Sequence, residues 1–186
     1  MASLSSLSSA SSASSSAPSS ACSSAVVDAA TARAWLAGKG FAEGDLRSEK
    51  LLRTGQKACP MAWACYKGNL AVCKWLFAHG AAADITKAAN DGGTPMFVAC
   101  MKGHLSVCKW LYEVGAAADI TKANNNGVTP MYIACKNGQL SVCKWLFEVG
   151  AAADITKANN KGVTPMFIAC QKGHLSVCKW LSLIHI

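Results

Sequence analysis

Four prolines set the frame for this chain. Pro60, Pro95, Pro130 and Pro165 stand 35 residues apart, and Trp75, Trp110, Trp145 and Trp180 keep the same interval. The cysteine pairs Cys65/Cys73, Cys100/Cys108, Cys135/Cys143 and Cys170/Cys178 follow it too. Four units in one register are the mark of a repeat architecture. In such an array no unit buries its own apolar face, and stacked neighbours share the core.

One unit shows the local physics. Thr94-Pro95 predicts a helix start, because the threonine hydroxyl can cap orphan amides and proline suits the first helical position. A short helix is expected over 96–102, with Ala99 and Cys100 small enough for a close neighbour. Gly103 can take the left-handed conformation that stops it. A second helix is expected over 105–114. Its polar residues Ser106, Lys109 and Glu113 fall at i, i+3 and i+7, a narrow wet stripe. Leu105, Val107, Cys108, Trp110, Leu111 and Val114 cover the rest, so this helix must be buried on nearly all sides. Gly115 ends it. An irregular segment over 116–126 then leads to Asn124-Asn125-Asn126-Gly127, strong turn chemistry before the next Thr129-Pro130.

The run Gly162-Val163-Thr164-Pro165-Met166-Phe167-Ile168-Ala169-Cys170, followed by Gly173-His174-Leu175, Val177-Cys178 and Leu181, resembles the ankyrin repeat signature. The likeness spans residues 59–181 and implies an all-α repeat solenoid of stacked helix-turn-helix units with projecting turns. Three departures stand out. Phe97, Tyr132 and Phe167 replace the family's histidine, so its bond to the capping threonine is lost and apolar packing is expected instead. The period is 35 rather than 33, with extra alanines in Gly150-Ala151-Ala152-Ala153-Asp154. Cys59-Pro60 replaces Thr-Pro in the first unit, which reads as a worn terminal repeat.

The chain therefore divides into a disordered Ser/Ala-rich tail (1–24), a helical lead-in or degenerate N-terminal cap (25–58), and a repeat domain (59–186). The units are 59–90, 91–125, 126–160 and an incomplete 161–186. Fourteen of the first 24 residues are serine, too little apolar surface to offset ordering entropy. An organelle transit peptide is the alternative for this tail, but the first arginine is Arg33. In the lead-in, Val26, Val27, Ala30, Arg33, Ala34 and Trp35 permit a helix over 25–36 that Gly38 and Gly40 would end. Residues 41–58 are poorly patterned.

The totals narrow the class further. No apolar run approaches the roughly 18 residues of a membrane span, so no membrane partner is expected. The net charge is +8, six of it in residues 59–186, which favours an acidic partner without naming one. The ten cysteines and the lack of a secretory signal point to reduced thiols in the cytoplasm, with the nucleus as alternative.

Chemistry has little to stand on. Cys100-x3-His104-x3-Cys108 and Cys170-x3-His174-x3-Cys178 invite a metal, but the middle residue is Asn69 or Gln139 elsewhere, and zinc wants four donors. Cysteine as a small buried hydrophobe is the preferred account, a disulfide within a unit being the other possibility. The tryptophan column at helical spacing is expected in the core rather than on a base-stacking surface. Lys74, Lys109, Lys144 and Lys179 are expected on a solvated face, diluted by Glu113 and Glu148. His79, His104, His174 and His185 join no nucleophile–base motif, so neither enzyme activity, cofactor nor metal is expected.

What varies between units is free to recognise something. The variable positions are the turn tips Asp91/Asn126/Lys161 and Gly93/Val128/Val163. At the end of the first helix they are Tyr66/Met101/Lys136/Gln171 and Lys67/Lys102/Asn137/Lys172. Family resemblance places these on a concave surface that suits an extended peptide or a protein face, on a monomer. The expected function is protein–protein interaction, a scaffold role. The alternative is a non-catalytic fragment of a larger ankyrin-bearing enzyme, channel or signalling protein. Ser182-Leu183-Ile184-His185-Ile186 replaces the aromatic-Glu-Val-Gly continuation of the repeat and resembles adaptor sequence on a truncated transcript.

Overall fold

A computed structural model describes residues 27–41, 50–51 and 57–184. The expectations for the tail at 1–24, for the first two residues (25–26) of the lead-in helix, for most of 41–58 and for His185-Ile186 fall outside them.

The first helix, α1 (Ala29–Ala37), begins four residues later than its apolar pattern suggests. Asp28 supplies the reason, since its carboxylate accepts the Thr31 N–H at 2.6 Å. That bond also holds the Asp28 carboxyl below the usual carboxylate range. α1 buries Ala32 and Leu36 and packs on the second helix of the first unit, as each later second helix packs on the next. A two-residue antiparallel pair, β1 (Lys50–Leu51) with β2 (Lys57–Ala58), follows and is the one extended element among the described residues.

Four helix pairs then repeat. They are α2 (Pro60–Lys67) with α3 (Leu70–Leu76), α4 (Pro95–Lys102) with α5 (Leu105–Leu111), α6 (Pro130–Lys136) with α7 (Leu140–Leu146), and α8 (Pro165–Gln171) with α9 (Leu175–Ile184). The starts are chemical. Thr94, Thr129 and Thr164 accept the N–H of Phe97, Tyr132 and Phe167 at 3.2–3.3 Å, with proline in the first turn. Cys59 makes no such bond, as its missing hydroxyl requires. Gly103, at φ 77°, stops α4 and returns its N–H to Ala99 and Cys100.

The second helices differ from expectation in their last turn. Regular winding in α5 ends at Leu111, and Tyr112–Ala116 winds more widely around Gly115, at φ 118°. A glycine in that region closes a helix with longer-range hydrogen bonds. The segment expected to be irregular then begins with a 3-10 turn, Ala117–Ile120. The extra alanines of the 35-residue period are thus wound into helical turns rather than looped out.

Stacking makes the core. α2 packs on α4, α4 on α6 and α6 on α8, while second helices pack on second helices. Met61, Met96 and Met131 form one fully buried column, Leu76, Leu111, Leu146 and Leu181 another, and Val72, Val107, Val142 and Val177 a third. Each such side chain stabilises the stack by about 1.5–3 kcal/mol. The tryptophans do point inward. Trp110 and Trp145 are 8% and 7% exposed, and each meets an aromatic ring of the preceding unit edge-on: Phe77–Trp110 at 5.8 Å and Tyr112–Trp145 at 5.9 Å.

The residues standing in for the family histidine behave in two ways. Phe97 and Tyr132 are buried, which is the expected apolar packing, but Phe167 is 57% exposed. The capping threonine of the second unit does find a partner, because the Thr94 hydroxyl hydrogen-bonds the Asp119 carboxylate. Asp84, Asp119 and Asp154 form a buried acidic column that the sequence pattern did not reveal.

Candidate functional site

The turn tips are tied to one another. Gly92 and Gly127 close the tips, their N–H groups bonding Ala89 and Asn124 carbonyls at 2.9 Å. Asn125 donates its backbone N–H to the Asp91 carbonyl at 2.9 Å and its side-chain amide to the Asn90 carbonyl at 3.0 Å. Asn160 repeats both bonds one unit later, to the Asn126 and Asn125 carbonyls. Within the tip, Asn124 Oδ1 accepts from Asn126 and Val128, and Asn159 Oδ1 from Lys161 and Val163. The asparagines that recur thus hold the row, with Asn126 and Lys161 exposed on it and Asp91 half-buried.

The first-helix ends are tied as well. His104 Nε2 meets the Tyr66 carbonyl at 3.1 Å and His174 Nε2 the Lys136 carbonyl at 2.9 Å, each one unit back. The Asn137 side chain donates to the Met101 and Ile133 carbonyls, both at 3.1 Å. Asn137 is therefore partly spoken for by the stack.

Of the fourteen variable residues only Gly93 is buried. Lys67, Lys102, Asn126, Lys136, Asn137, Lys161, Gln171 and Lys172 are exposed; Tyr66, Asp91, Met101, Val128 and Val163 are half-buried. At the first two units an aromatic cluster joins them. The Trp63 and Tyr66 rings stack with centroids 5.3 Å apart. Lys67 Nζ lies 5.1 Å from the Trp63 ring and 5.3 Å from Tyr66, and Lys102 Nζ reaches back to Tyr66 at 4.5 Å. Sequence reasoning missed Trp63. Its signal was present, since Val98, Ile133 and Ile168 occupy the same place in the other units.

The cysteine pairs face each other inside the units. Sγ–Sγ distances are 3.8, 3.7 and 3.6 Å for Cys65/Cys73, Cys100/Cys108 and Cys135/Cys143, all buried, and 3.2 Å for Cys170/Cys178. The neighbouring Cys73 thiol and burial push the Cys65 thiol well up, and burial with Cys108 does the same to Cys100. The thiolate, which is the nucleophile and metal ligand, is thereby disfavoured. Neither His104 nor His174 completes a ligand set, because each ring turns to a carbonyl of the preceding unit. Among the described residues no cluster of three or more His, Cys, Asp or Glu could hold a metal.

The stacked helix pairs, bonded tips and 35-residue register agree with an independent comparison: a family model for ankyrin repeats, in three copies, matches residues 32–124 and 117–185. The chain belongs to the ankyrin repeat family. No curated protein matches it. Ankyrin repeats are generally protein-interaction modules, and no described helix is long and apolar enough to cross a membrane. The match begins at residue 32, within α1.

Proposed function

We propose that this ankyrin array binds another protein, or an extended segment of one, along the row formed by its first-helix ends and turn tips, the face that is concave in the family. One observation carries the proposal. The variable positions at the first-helix ends, and all but Gly93 at the turn tips, lie at the surface, while the methionine, leucine and valine columns that repeat are buried in the stack. Tyr66, Lys67, Met101, Lys102, Lys136, Asn137, Gln171 and Lys172 line the row, with Asp91, Asn126, Val128, Lys161 and Val163 along its edge. The stack supplies rigidity, so little ordering cost falls on the protein when a partner binds.

The array acts as a non-catalytic scaffold and a monomer. All the described cysteines are free thiols, which suits a reducing compartment, cytoplasmic or nuclear. The test is selection of binders from a random peptide display library, followed by the same selection against Met101→Ala/Lys136→Ala. The expected result is that binders of the unaltered array lose affinity for the variant while its helical circular dichroism is unchanged. Binders indifferent to the pair would remove the row from the account.

A further inference from the structure

Positive charge is denser along the first-helix ends of the array than along its second helices and the turns that follow them. The first helices α2, α4, α6 and α8 contain no aspartate or glutamate. Yet Lys67, Lys102 and Lys136 stand at the ends of α2, α4 and α6, with Lys172 following α8, all exposed. The second-helix column of Lys74, Lys109, Lys144 and Lys179 is interrupted by exposed Glu113 and Glu148. The lysines beside the 3-10 turns are neutralised locally, Lys122 by Asp119 and Lys157 by Asp154, each at 3.6 Å. At the tips Lys161 offsets Asp91. Uncompensated positive charge thus collects along the first-helix ends.

Among the described residues none of Lys67, Lys102, Lys136 and Lys172 is ion-paired. Two of them are held in place by rings instead: Lys102 over Tyr66, and Lys67 over both Trp63 and Tyr66. A ring face orients an ammonium without neutralising it, so the charge stays available to a partner while some of its rotamer freedom is already lost.

We propose that the segment received by this row is an acidic, extended peptide whose carboxylates recur about every third residue. The inference rests on the protein-binding function proposed above and names its partner's chemistry. The spacing follows from the stack. Packed helices lie about 8–10 Å apart, and a chain in the extended polyproline II conformation advances about 3.1 Å per residue with three residues per turn, so every third side chain returns to the same face. Three residues therefore carry a peptide from one unit to the next. The ring-anchored lysines of the first two units fix one end. Single-stranded nucleic acid fits less well, because Trp63 and Tyr66 are stacked on each other and covered by ammonium groups rather than offered as open platforms for bases.

The test uses a fluorescein-labelled peptide of four Glu-Gly-Ser triplets, its glutamine counterpart and a labelled oligothymidine, titrated against the full chain by anisotropy. The glutamate peptide should bind, weaken as salt rises from about 50 to 300 mM, and outcompete both other probes. Lys67→Gln and Lys102→Gln should each weaken it roughly threefold, whereas Lys109→Gln and Lys144→Gln should leave it unchanged. Equal losses from both columns, or equal binding of the glutamine peptide or of oligothymidine, would overturn the inference. If display-selected peptides bind the row but carry no excess of acids, the acidic partner is wrong and the protein-binding function stands. If no peptide depends on the row, both fall.

Discussion

The Nε2 atom of His104 lies 3.1 Å from the carbonyl oxygen of Tyr66, one unit back along the array. A carbonyl oxygen only accepts, so the ring nitrogen facing it carries the proton. The contact satisfies a carbonyl that the end of α2 leaves without an intrahelical partner, and it fixes the backbone from which Tyr66 projects. Stacking and the candidate interaction surface are thereby coupled at one bond.

His104→Ala should lower the stability of the array by about 1–2 kcal/mol, since it leaves that carbonyl unpaired and opens space beside Gly68. His104→Gln should recover much of the loss, because Gln139 occupies the same place in the next unit. Urea unfolding of both variants checks the order.

Gly127 and Gly162 share a left-handed backbone, at φ 70° and 74°. A Cβ on Gly127 would come within 2.9 Å of the Asn160 backbone nitrogen and also meet its side-chain oxygen, whereas nothing lies within 4 Å of Gly162. Gly162→Ala should cost about 1–2 kcal/mol from backbone strain alone. Gly127→Ala should cost at least about 1 kcal/mol more, because it also pushes two tips apart. Equal losses would mean that tip stacking contributes nothing.

The stack was largely legible in the sequence, and the reasons are specific. Thr-Pro starts, glycine stops and a three-sided apolar second helix each act within a few residues, so they show in a one-dimensional pattern. Four copies then reveal which features are required. Contacts between units were harder to see. Asn125 reads as turn chemistry, but its side chain is spent on Asn90 of the preceding tip, and nothing near His104 in the sequence points to its partner, the Tyr66 carbonyl one unit back. Asp119 looks like one charge among many, yet burial and the Thr94 hydroxyl define it. The candidate site was named from variation alone. Trp63 stands where the other units carry Val98, Ile133 and Ile168, so the position reads as ordinary apolar packing until the Tyr66 ring is found stacked on it.

Thiol reactivity should be graded along the array. Cys65 and Cys100 are fully buried with thiolates disfavoured, whereas Cys170 is exposed. Among the described cysteines, iodoacetamide at about pH 8 should label Cys170 first and reach the inner pairs only after denaturant is added. Mass spectrometry of the labelled peptides gives the order, and early labelling of Cys100 or Cys108 would mean that the inner units open readily.

Asp119 and Asp154 are raised above the usual carboxylate range because burial outweighs the pull of Lys122 and Lys157. An acid raised in the folded state holds its proton longer there than in the unfolded chain. Both states are protonated below the unfolded value, so no penalty applies; stability is lost as pH rises from that value through the folded one. Asp119→Asn/Asp154→Asn should therefore flatten the decline in stability across the weakly acidic range just above the ordinary carboxylate value. Chemical denaturation at stepped pH measures it, and an unchanged slope would contradict the assignment.

The most direct test of the central claim is backbone hydrogen exchange of the full chain with and without a display-selected peptide. The account predicts new protection over Tyr66–Gly68, Met101–Gly103 and Lys136–Gly138, with little change around Lys74, Lys109 and Lys144. Protection confined to the second-helix column, with the first-helix ends untouched, would show that this array binds through a different face.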